Sequence, residues 1–194
     1  IKVFTEKISY EEVLNFENKN SQIFSIIKNY ELHKLLKVKL KKSKLVKFKK
    51  ITNYQDIIKQ KYKLIINCDS KHQISKKFFS NKIEKNYNSC AYTTTINHKE
   101  LINNTAFQNF TSNGPIAFLP ISKTQTSIVY SLREKKQKTN TDIQNLIKKY
   151  NPTYSITKIN DLNFFQLKSL SLRKYFKNNI LAFGDLLHKI HPLA

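Results

Sequence analysis

Residues 183–194, which read F-G-D-L-L-H-K-I-H-P-L-A, constrain the fold more than any other stretch of the sequence. The apolar residues 179–183 that lead into them predict a short buried strand. Gly184 then allows a sharp turn of the backbone, and Asp185 lies where a helix is expected to begin. An aspartate at such a position either caps backbone N–H groups or accepts hydrogen bonds from the hydroxyl groups of a ligand. Both interpretations stay open on these residues alone.

The residues from Gly184 onward resemble the second flavin-binding motif of the FAD-dependent aromatic-ring monooxygenases, in particular the ubiquinone-biosynthesis hydroxylases. In that family the motif begins G-D-A-A-H and continues to H-P-L-A-G-Q-G. This chain has two leucines in place of the two alanines, and it keeps the spacing between the two histidines, His188 and His191. The resemblance implies that Asp185, with Gly184 beside it, binds the ribityl chain of FAD. It also implies that Pro192 lies against the flavin ring, near the substrate.

A second segment has a weaker resemblance to the same family. Residues 63–67 predict a buried strand that ends before Cys68 and Asp69, followed by a helix that runs through Phe79. This order is similar to the family's middle motif, G-A-D-G-x-x-S-x-x-R, which contacts the cofactor and the nicotinamide nucleotide. Only Asp69 matches a specified residue of that motif. From the residues alone Asp69 is a helix cap, and the resemblance adds the role of a cofactor contact.

The middle of the chain predicts an antiparallel sheet. Residues 88–96 and 105–110 alternate between apolar and polar positions, and short turns lead from them to further strands at 116–120 and 126–132. Within it, T-A-F-Q-N-F and G-P-I-A-F-L-P closely resemble the family's substrate-domain signature, T-A-x-Q-x-F followed by G-P-x-A-x-L-P. The resemblance implies that Phe107 and Phe118 contact an aromatic small molecule or quinone precursor. From the residues alone, the glycine and prolines serve only the turn of a hairpin.

The predicted fold class is therefore mixed α/β (α+β): an FAD-dependent monooxygenase-like fold with an antiparallel substrate-domain sheet packed with helices, plus part of an FAD-binding domain. We assign residues 1–79 to a partial FAD-binding segment, 80–178 to the substrate domain, and 179–194 to a return to the FAD-binding domain. Periodicity also predicts the following elements. Strands are expected at 1–4, 13–16, 23–27, 45–48 and 164–167, and helices at 30–41, 54–61 and 141–150. The apolar stripe of the helix at 30–41 is expected to face the core.

The formal charge of +22 raises the alternative of a basic binding module for RNA or anionic lipid, acting through residues 37–50. Of 35 basic residues only Arg133 and Arg173 are arginine, the residue that base and phosphate recognition favours. We therefore expect a solvated lysine surface and no sequence-selective binding of nucleic acid. A catalytically inactive remnant of a monooxygenase is a third hypothesis.

Cys68 and Cys90 have no zinc-ligand spacing and are expected to be reduced, buried and inert. His188 and His191 have no third ligand nearby in the sequence, so we predict no metal site. No apolar run approaches ~20 residues, and no signal peptide is evident. We expect a soluble cytoplasmic protein, peripheral to the inner membrane at most, with membrane or biosynthetic-complex association as an open alternative.

For the parent enzyme, the resemblance implies an NAD(P)H- and O₂-dependent hydroxylation of a phenolic, polyprenylated ring. The sequence has no Ser-His-Asp set and no pair of carboxylates, so no catalytic side chain is predicted and the cofactor is expected to supply the chemistry. The chain has no G-x-G-x-x-G and stops before the G-Q-G of the motif. We therefore expect a fragment in which FAD binding is weak or absent and which is inactive by itself.

Overall fold

The computed structural model describes residues 1–6, 11–18, 21–51, 53–134 and 137–189. Within these ranges the chain has mixed α/β structure, as predicted. The helices are α1 (Asn29–Lys42), α2 (Tyr54–Lys59), α3 (Gln73–Phe78) and α4 (Asn140–Lys149). The strands are β1 (Lys2–Thr5), β2 (Glu12–Asn15), β3 (Ile65–Asn67), β4 (Lys82–His98), β5 (Phe107–Thr111), β6 (Gly114–Ser122), β7 (Gln125–Leu132), β8 (Ile156–Ile159), β9 (Asn163–Leu172), β10 (Phe176–Lys177), β11 (Ile180–Ala182) and β12 (His188–Lys189).

The described residues form two compact units. Unit 1 contains residues 1–32 and 88–167, and unit 2 contains residues 33–87 and 168–189. Strands β4 and β9 contribute residues to both units. The strands of the described residues form a larger sheet, in the order β12-β9-β4-β7-β6-β5-β1-β2 with β8 paired to β4, and a smaller sheet, in the order β10-β11-β3.

The sheet of unit 1 confirms the predicted antiparallel arrangement. Strand β7 pairs antiparallel with both β4 and β6, and β6 pairs antiparallel with β5. The partners Tyr92, Tyr130 and Ile116 lie side by side on three neighbouring strands, so their side chains share one face. Helix α4 covers that face with Ile143 and Ile147, which are fully buried. The core of unit 1 lies between this helix and the sheet.

Helix α4 begins with a capping box formed by Thr139 and Asp142. The Thr139 hydroxyl accepts a hydrogen bond from the Asp142 backbone N–H at 3.2 Å, and the Thr139 N–H donates to the Asp142 carboxylate at 3.3 Å. These bonds satisfy backbone N–H groups at the start of the helix that have no partner within it. The predicted helix at 141–150 is confirmed within one residue at each end.

A buried polar network lies at one end of this core. His98 donates from Nδ1 to the Lys99 carbonyl at 2.9 Å, and its Nε2 lies 3.0 Å from the hydroxyl of Thr126. Asn103 donates to the same hydroxyl at 2.9 Å and accepts from the Tyr154 hydroxyl at 3.1 Å. Burial raises the pKa of Tyr154, so its phenol stays protonated and available as a donor.

Unit 2 is built around the short parallel pair β3 and β11, and β10 adds to β11 in the antiparallel direction. Ile65 and Ile180 are register partners in this pair, and both are buried. Ile74 of α3 and Leu172 of β9 complete the same apolar cluster. The strand predicted at 179–183 and the strand–loop–helix order around Asp69 are both confirmed.

Two predicted strands are wrong. Residues 23–27 and 45–48 form no strand, and their apolar side chains Ile23, Ile27, Leu45 and Phe48 are exposed. Both stretches have an apolar pattern, but neither finds a neighbouring strand whose backbone can pair with it.

Two predictions of burial are also wrong. Helix α1 has the predicted bounds within a residue or two, but it has no buried residue, because its leucine stripe contacts no core. Cys68 is exposed, because it follows the last residue of β3 where the chain leaves the sheet, whereas Cys90 is buried as predicted. Burial raises the pKa of the Cys90 thiol. No helix in the described ranges is long and apolar enough to cross a membrane.

Candidate functional site

The carboxyl ends of β3 and β11 lie at the same edge of the small sheet of unit 2. The register pairs Ile65 with Ile180 and Asn67 with Ala182, and the Phe183 N–H continues the ladder by donating to the Asn67 carbonyl at 3.0 Å. Asp69 follows β3 by two residues, and Asp185 follows β11 by three. The carboxyl ends of parallel strands are where open α/β sheets bind ligands. Two aspartates that are 116 residues apart in sequence thus follow strands that end at the same sheet edge.

The Asp69 loop is held by local hydrogen bonds. The Asp69 carboxylate accepts from the Lys71 N–H at 2.8 Å, and the Asp69 carbonyl accepts from the Ser75 hydroxyl. The buried amide of Asn67 donates to the same hydroxyl at 2.6 Å. Asp69 itself is exposed, and the N-cap of α3 is His72, whose Nδ1 accepts from the Ile74 N–H at 3.3 Å. The helix-cap interpretation of Asp69 is therefore wrong.

Asn67 and Ser75 are the positioning residues that sequence reasoning missed. Asn67 replaces the glycine of the motif, and its side chain fixes the loop by reaching the first turn of α3. The signal in the sequence is a polar residue at the end of an apolar strand, eight residues before a serine in the next helix. This pairing is visible only once the strand and helix are placed.

Gly184 has a left-handed backbone, with φ of +64°, in a conformation that favours glycine. No heavy atom of the described residues lies within 4 Å of where a Cβ would stand, so the surface beside it is open. Gly184 also begins a single 3₁₀ turn, Gly184–Leu186, which is fixed by the buried side chain of Leu186. The backbone can therefore approach a ligand closely at this point.

Asp185 lies in this turn and is exposed. The predicted helix start is a single 3₁₀ turn, and the residue at its N-cap is Phe183, with no side-chain cap bond. Among the described residues, the Asp185 carboxylate forms no hydrogen bond and no ion pair, so its capping role is not seen. An exposed carboxylate that no described residue engages can accept hydrogen bonds from ligand hydroxyls.

His188 begins β12, where it pairs with Ser171 of β9, and its ring lies 5.7 Å from the ring of Tyr175. Pro192 and His191 lie outside the described residues. Within the described residues no cluster of three His, Cys, Asp or Glu side chains has the geometry to hold a metal ion.

Phe107 and Phe118 are register partners on β5 and β6, so their side chains share the face covered by α4. Phe118 is 0% exposed, and its ring stacks on Tyr154 with 5.9 Å between centroids. Phe107 is half-buried, with its ring edge-on to Tyr154 at 6.4 Å and stacked on Phe4 at 6.3 Å. In this structure both rings fill the core of unit 1, and only Phe107 has surface left for another molecule.

Solved structures that share this fold include a halogenase, a monooxygenase and a Diels-Alderase. The chain has a TM-score of 0.53 and 14% identity to the myxobacterial chondrochloren halogenase CndH, a variant of FAD-dependent halogenases, with coverage of 68% of this chain and 34% of that one. The TM-score to p-nitrophenol 4-monooxygenase PnpA from Pseudomonas putida DLL-E4 is 0.50 at 12% identity, and the match covers 67% of this chain and 35% of that one. The TM-score to the Diels-Alderase PyrE3 of pyrroindomycin biosynthesis is 0.53 at 12% identity, and the match covers 67% of this chain and 30% of that one. The chain therefore shares the fold of the covered part of these proteins.

Among curated proteins, the chain is similar to ubiquinone biosynthesis monooxygenase COQ6, mitochondrial, from Xenopus tropicalis. The two are 24% identical over 174 residues, which covers 68% of this chain and 38% of the relative. The chain therefore spans about two-fifths of the length of the curated relative that it matches. No family model matches the chain. The predicted resemblance is confirmed as distant homology to a ubiquinone-biosynthesis monooxygenase.

Proposed function

We propose that this chain is part of an FAD-dependent monooxygenase that hydroxylates a phenolic, polyprenylated ring, with NAD(P)H as reductant and O₂ as oxidant. The observation that supports it most is the common edge of β3 and β11, where Asp69 and Asp185 both follow a parallel strand. The homology to a ubiquinone biosynthesis monooxygenase supports the reaction class.

The residues at this edge fit a flavin nucleotide. FAD presents several hydroxyl groups on its ribityl chain and ribose, and an exposed carboxylate can accept hydrogen bonds from them. We assign Asp185 to the ribityl hydroxyls, with Gly184 giving the backbone a close approach through its open left-handed turn. Asp69 contributes a second carboxylate, and Pro192 is assigned to the flavin ring.

When bound, FAD supplies the oxygen-activating redox chemistry. The protein's own residues then have only to bind, orient and exclude water. Asn67 and Ser75 hold the Asp69 loop in one conformation, and Leu186 anchors the turn that presents Asp185. No side chain of the chain is required as a nucleophile or general base.

The proposed substrate is an aromatic small molecule of the quinone-precursor type. The segments assigned to it are those of residues 80–178, with Phe107 and Phe118 as ring contacts. Since Phe118 is fully buried, its contact with a substrate requires a rearrangement of the core, whereas Phe107 is already half-exposed. Residues 1–79 and 179–194 are proposed to belong to the flavin domain.

The proposed location is the cytoplasmic side of an inner membrane, in peripheral association with it or with a biosynthetic complex.

The test is a titration of the 194-residue chain with FAD, followed by quenching of flavin fluorescence. Asp185→Ala removes at least one charge-assisted hydrogen bond, which is worth about 1.5–3 kcal/mol, so the Kd should rise about 10- to 100-fold. Asp161→Ala is the matched control, because Asp161 is an exposed aspartate of unit 1. Thermal unfolding without FAD checks that both variants keep the fold. An equal Kd for Asp185→Ala and Asp161→Ala would refute the assignment of Asp185.

A further inference from the structure

The loop that carries Asp69 ends at an unusual helix cap. Helix α3 begins after His72, whose backbone is extended and whose ring nitrogen Nδ1 accepts a hydrogen bond from the Ile74 N–H at 3.3 Å. The residues that usually cap a helix in this way are serine, threonine, aspartate and asparagine. Those side chains keep their acceptor oxygen throughout the neutral pH range, whereas a histidine loses its acceptor nitrogen when the ring is protonated.

The cap bond determines which protonation state of His72 the structure contains. A backbone N–H can only donate, so Nδ1 carries no proton and the proton of the neutral ring lies on Nε2. An imidazolium has a proton on both nitrogens and offers no acceptor. It also places a positive charge at the N-terminal end of α3, where the helix dipole disfavours cations. The cap therefore exists only while His72 is neutral.

Backbone hydrogen bonds join this cap to the loop of Asp69. The His72 N–H donates to the Asp69 carbonyl at 3.3 Å, and the His72 carbonyl accepts from the Lys76 N–H at 3.2 Å. The Asp69 carbonyl also accepts from the hydroxyl of Ser75, the residue after Ile74. The turn from Asp69 to His72 and the first turn of α3 are thus one hydrogen-bonded unit. Loss of the cap therefore loosens the loop that positions the Asp69 carboxylate.

Charged and titratable groups lie on the loop of His72 and on the elements that share the apolar cluster of unit 2. They are Asp69 and Lys71 in the loop, Lys76 and Lys77 on α3, Tyr54, Asp56 and Lys59 on α2, Lys63 before β3, Arg173 after β9, Asp185 in the 3₁₀ turn and His188 on β12. Among the described residues none of them forms an ion pair with the His72 ring. Asp69 is the acid closest to His72 along the chain, so it is the carboxylate that a protonated ring can engage.

We propose that His72 is a pH-sensitive cap of the candidate cofactor edge, which holds the Asp69 loop in its binding conformation when neutral and releases it when protonated. This inference rests on the proposed function, because that function assigns Asp69 to FAD. Histidine is the side chain that ordinarily changes charge between about pH 8 and 5. Two effects of protonation act in the same direction: the cap is lost, and a new cation competes with the ligand hydroxyls for the Asp69 carboxylate. FAD binding should therefore weaken as the pH falls.

The first measurement is the Kd for FAD of the 194-residue chain at about pH 7.5 and about pH 5.5. For the wild type we expect a Kd about fivefold higher at the lower pH, the ratio that corresponds to the loss of one helix cap. His72→Asn keeps an acceptor at both pH values, so its Kd should match that of the wild type at the higher pH and stay constant. His72→Ala has no cap and should bind weakly at both. His33→Asn, at an exposed histidine of α1, is the control and should behave as the wild type does.

The second measurement needs no FAD and so separates this inference from the proposed function. Hydrogen exchange of the Ile74 amide, corrected for the intrinsic effect of pH on exchange, reports the cap bond directly. Its protection factor should fall about fivefold between the two pH values in the wild type and stay constant in His72→Asn.

Two results would overturn the inference: a constant protection factor of Ile74 in the wild type, or the same pH dependence of the Kd in the wild type and in His72→Asn. A protection factor that falls as expected in a chain that binds no FAD at either pH would confirm the pH-sensitive cap and refute the assignment of the cofactor. Failure of the cap and failure of the proposed function are therefore distinguishable.

Discussion

The two glycines of the chain have backbone conformations that other residues rarely adopt, and their surroundings differ. At Gly114, with φ of +137°, a Cβ would stand 2.1 Å from the Ser131 carbonyl oxygen on the neighbouring strand. At Gly184, with φ of +64°, a Cβ would meet open space. Gly114 is therefore needed by the fold, whereas the open side of Gly184 is available to a ligand.

Gly114→Ala and Gly184→Ala should separate these two roles. We expect Gly114→Ala to destabilise the protein by about 3 kcal/mol or more, because a clash with backbone adds to a strained φ. Gly184→Ala should destabilise the protein by only about 1–2 kcal/mol, because the left-handed conformation disfavours alanine. The same substitution should weaken FAD binding, since the new methyl group occupies the space through which the ligand approaches the backbone. Urea unfolding and FAD titration of both variants check this. A Gly184→Ala variant with unchanged Kd would speak against the proposed approach of the cofactor.

At this scale the sequence predicts positions better than contacts. Asp69 and Asp185 are found from the order of strand, aspartate and turn, and the fold brings both to one sheet edge. The hydrogen bonds of Asn67 and Ser75 depend on where α3 begins, which no local pattern specifies. Cys68 was expected to be buried because cysteine usually is, but its position after β3 leaves it exposed.

Three elements of unit 1 meet at Glu6, the residue after β1. Its carboxylate accepts from the Ser112 N–H in the β5–β6 turn at 2.7 Å and from the Tyr150 hydroxyl at the end of α4 at 3.3 Å. The pKa of Glu6 lies below its ordinary value of 4.5, mainly because the Ser112 N–H donates to its carboxylate. The Tyr150 hydroxyl and the charge of Lys149 lower the pKa further, whereas burial opposes this effect. The lowered pKa stabilises the folded state above the unfolded pKa, and this stabilisation is lost as the pH falls through the folded value.

Glu6→Gln should therefore flatten the acid limb of the stability curve. Wild-type protein is expected to lose stability more steeply than Glu6→Gln as the pH falls below about 4.5. Glu11→Gln, at an exposed position next to β2, is the control. The measurement is the urea midpoint between about pH 6 and pH 3. Parallel curves for wild type and Glu6→Gln would contradict the account of this contact.

Elements are predicted well where apolar pattern and pairing partner agree. The strands around residues 88–132 alternate, have turns between them, and find one another as neighbours. Residues 23–27 and 45–48 are as apolar, but their large side chains Ile23, Ile27, Leu45 and Phe48 are exposed, and their backbones pair with no strand of the described residues. An apolar pattern indicates that burial of the segment would be favourable, whereas strand pairing depends on residues elsewhere in the chain.

For the molecule as a whole, the net charge of +22 acts at long range. We expect RNA binding to be weak and independent of base sequence, because it rests on lysine charge with few arginines. Counterion release should remove it between about 50 and 200 mM salt. Fluorescence anisotropy with two RNAs of unrelated sequence tests this. Sequence-selective binding that persists at 200 mM salt would favour the nucleic-acid alternative.

A backbone amide NMR titration of the ¹⁵N-labelled chain with FAD detects even weak binding and tests directly whether the cofactor binds at the edge of β3 and β11. We expect the largest chemical-shift changes at the carboxyl ends of these two strands, on Asn67 to Asp69 and on Gly184 and Asp185. Amides of the α4-covered sheet of unit 1 should shift little. Largest changes on that sheet, or no change at any amide, would contradict the assignment of the cofactor to this edge.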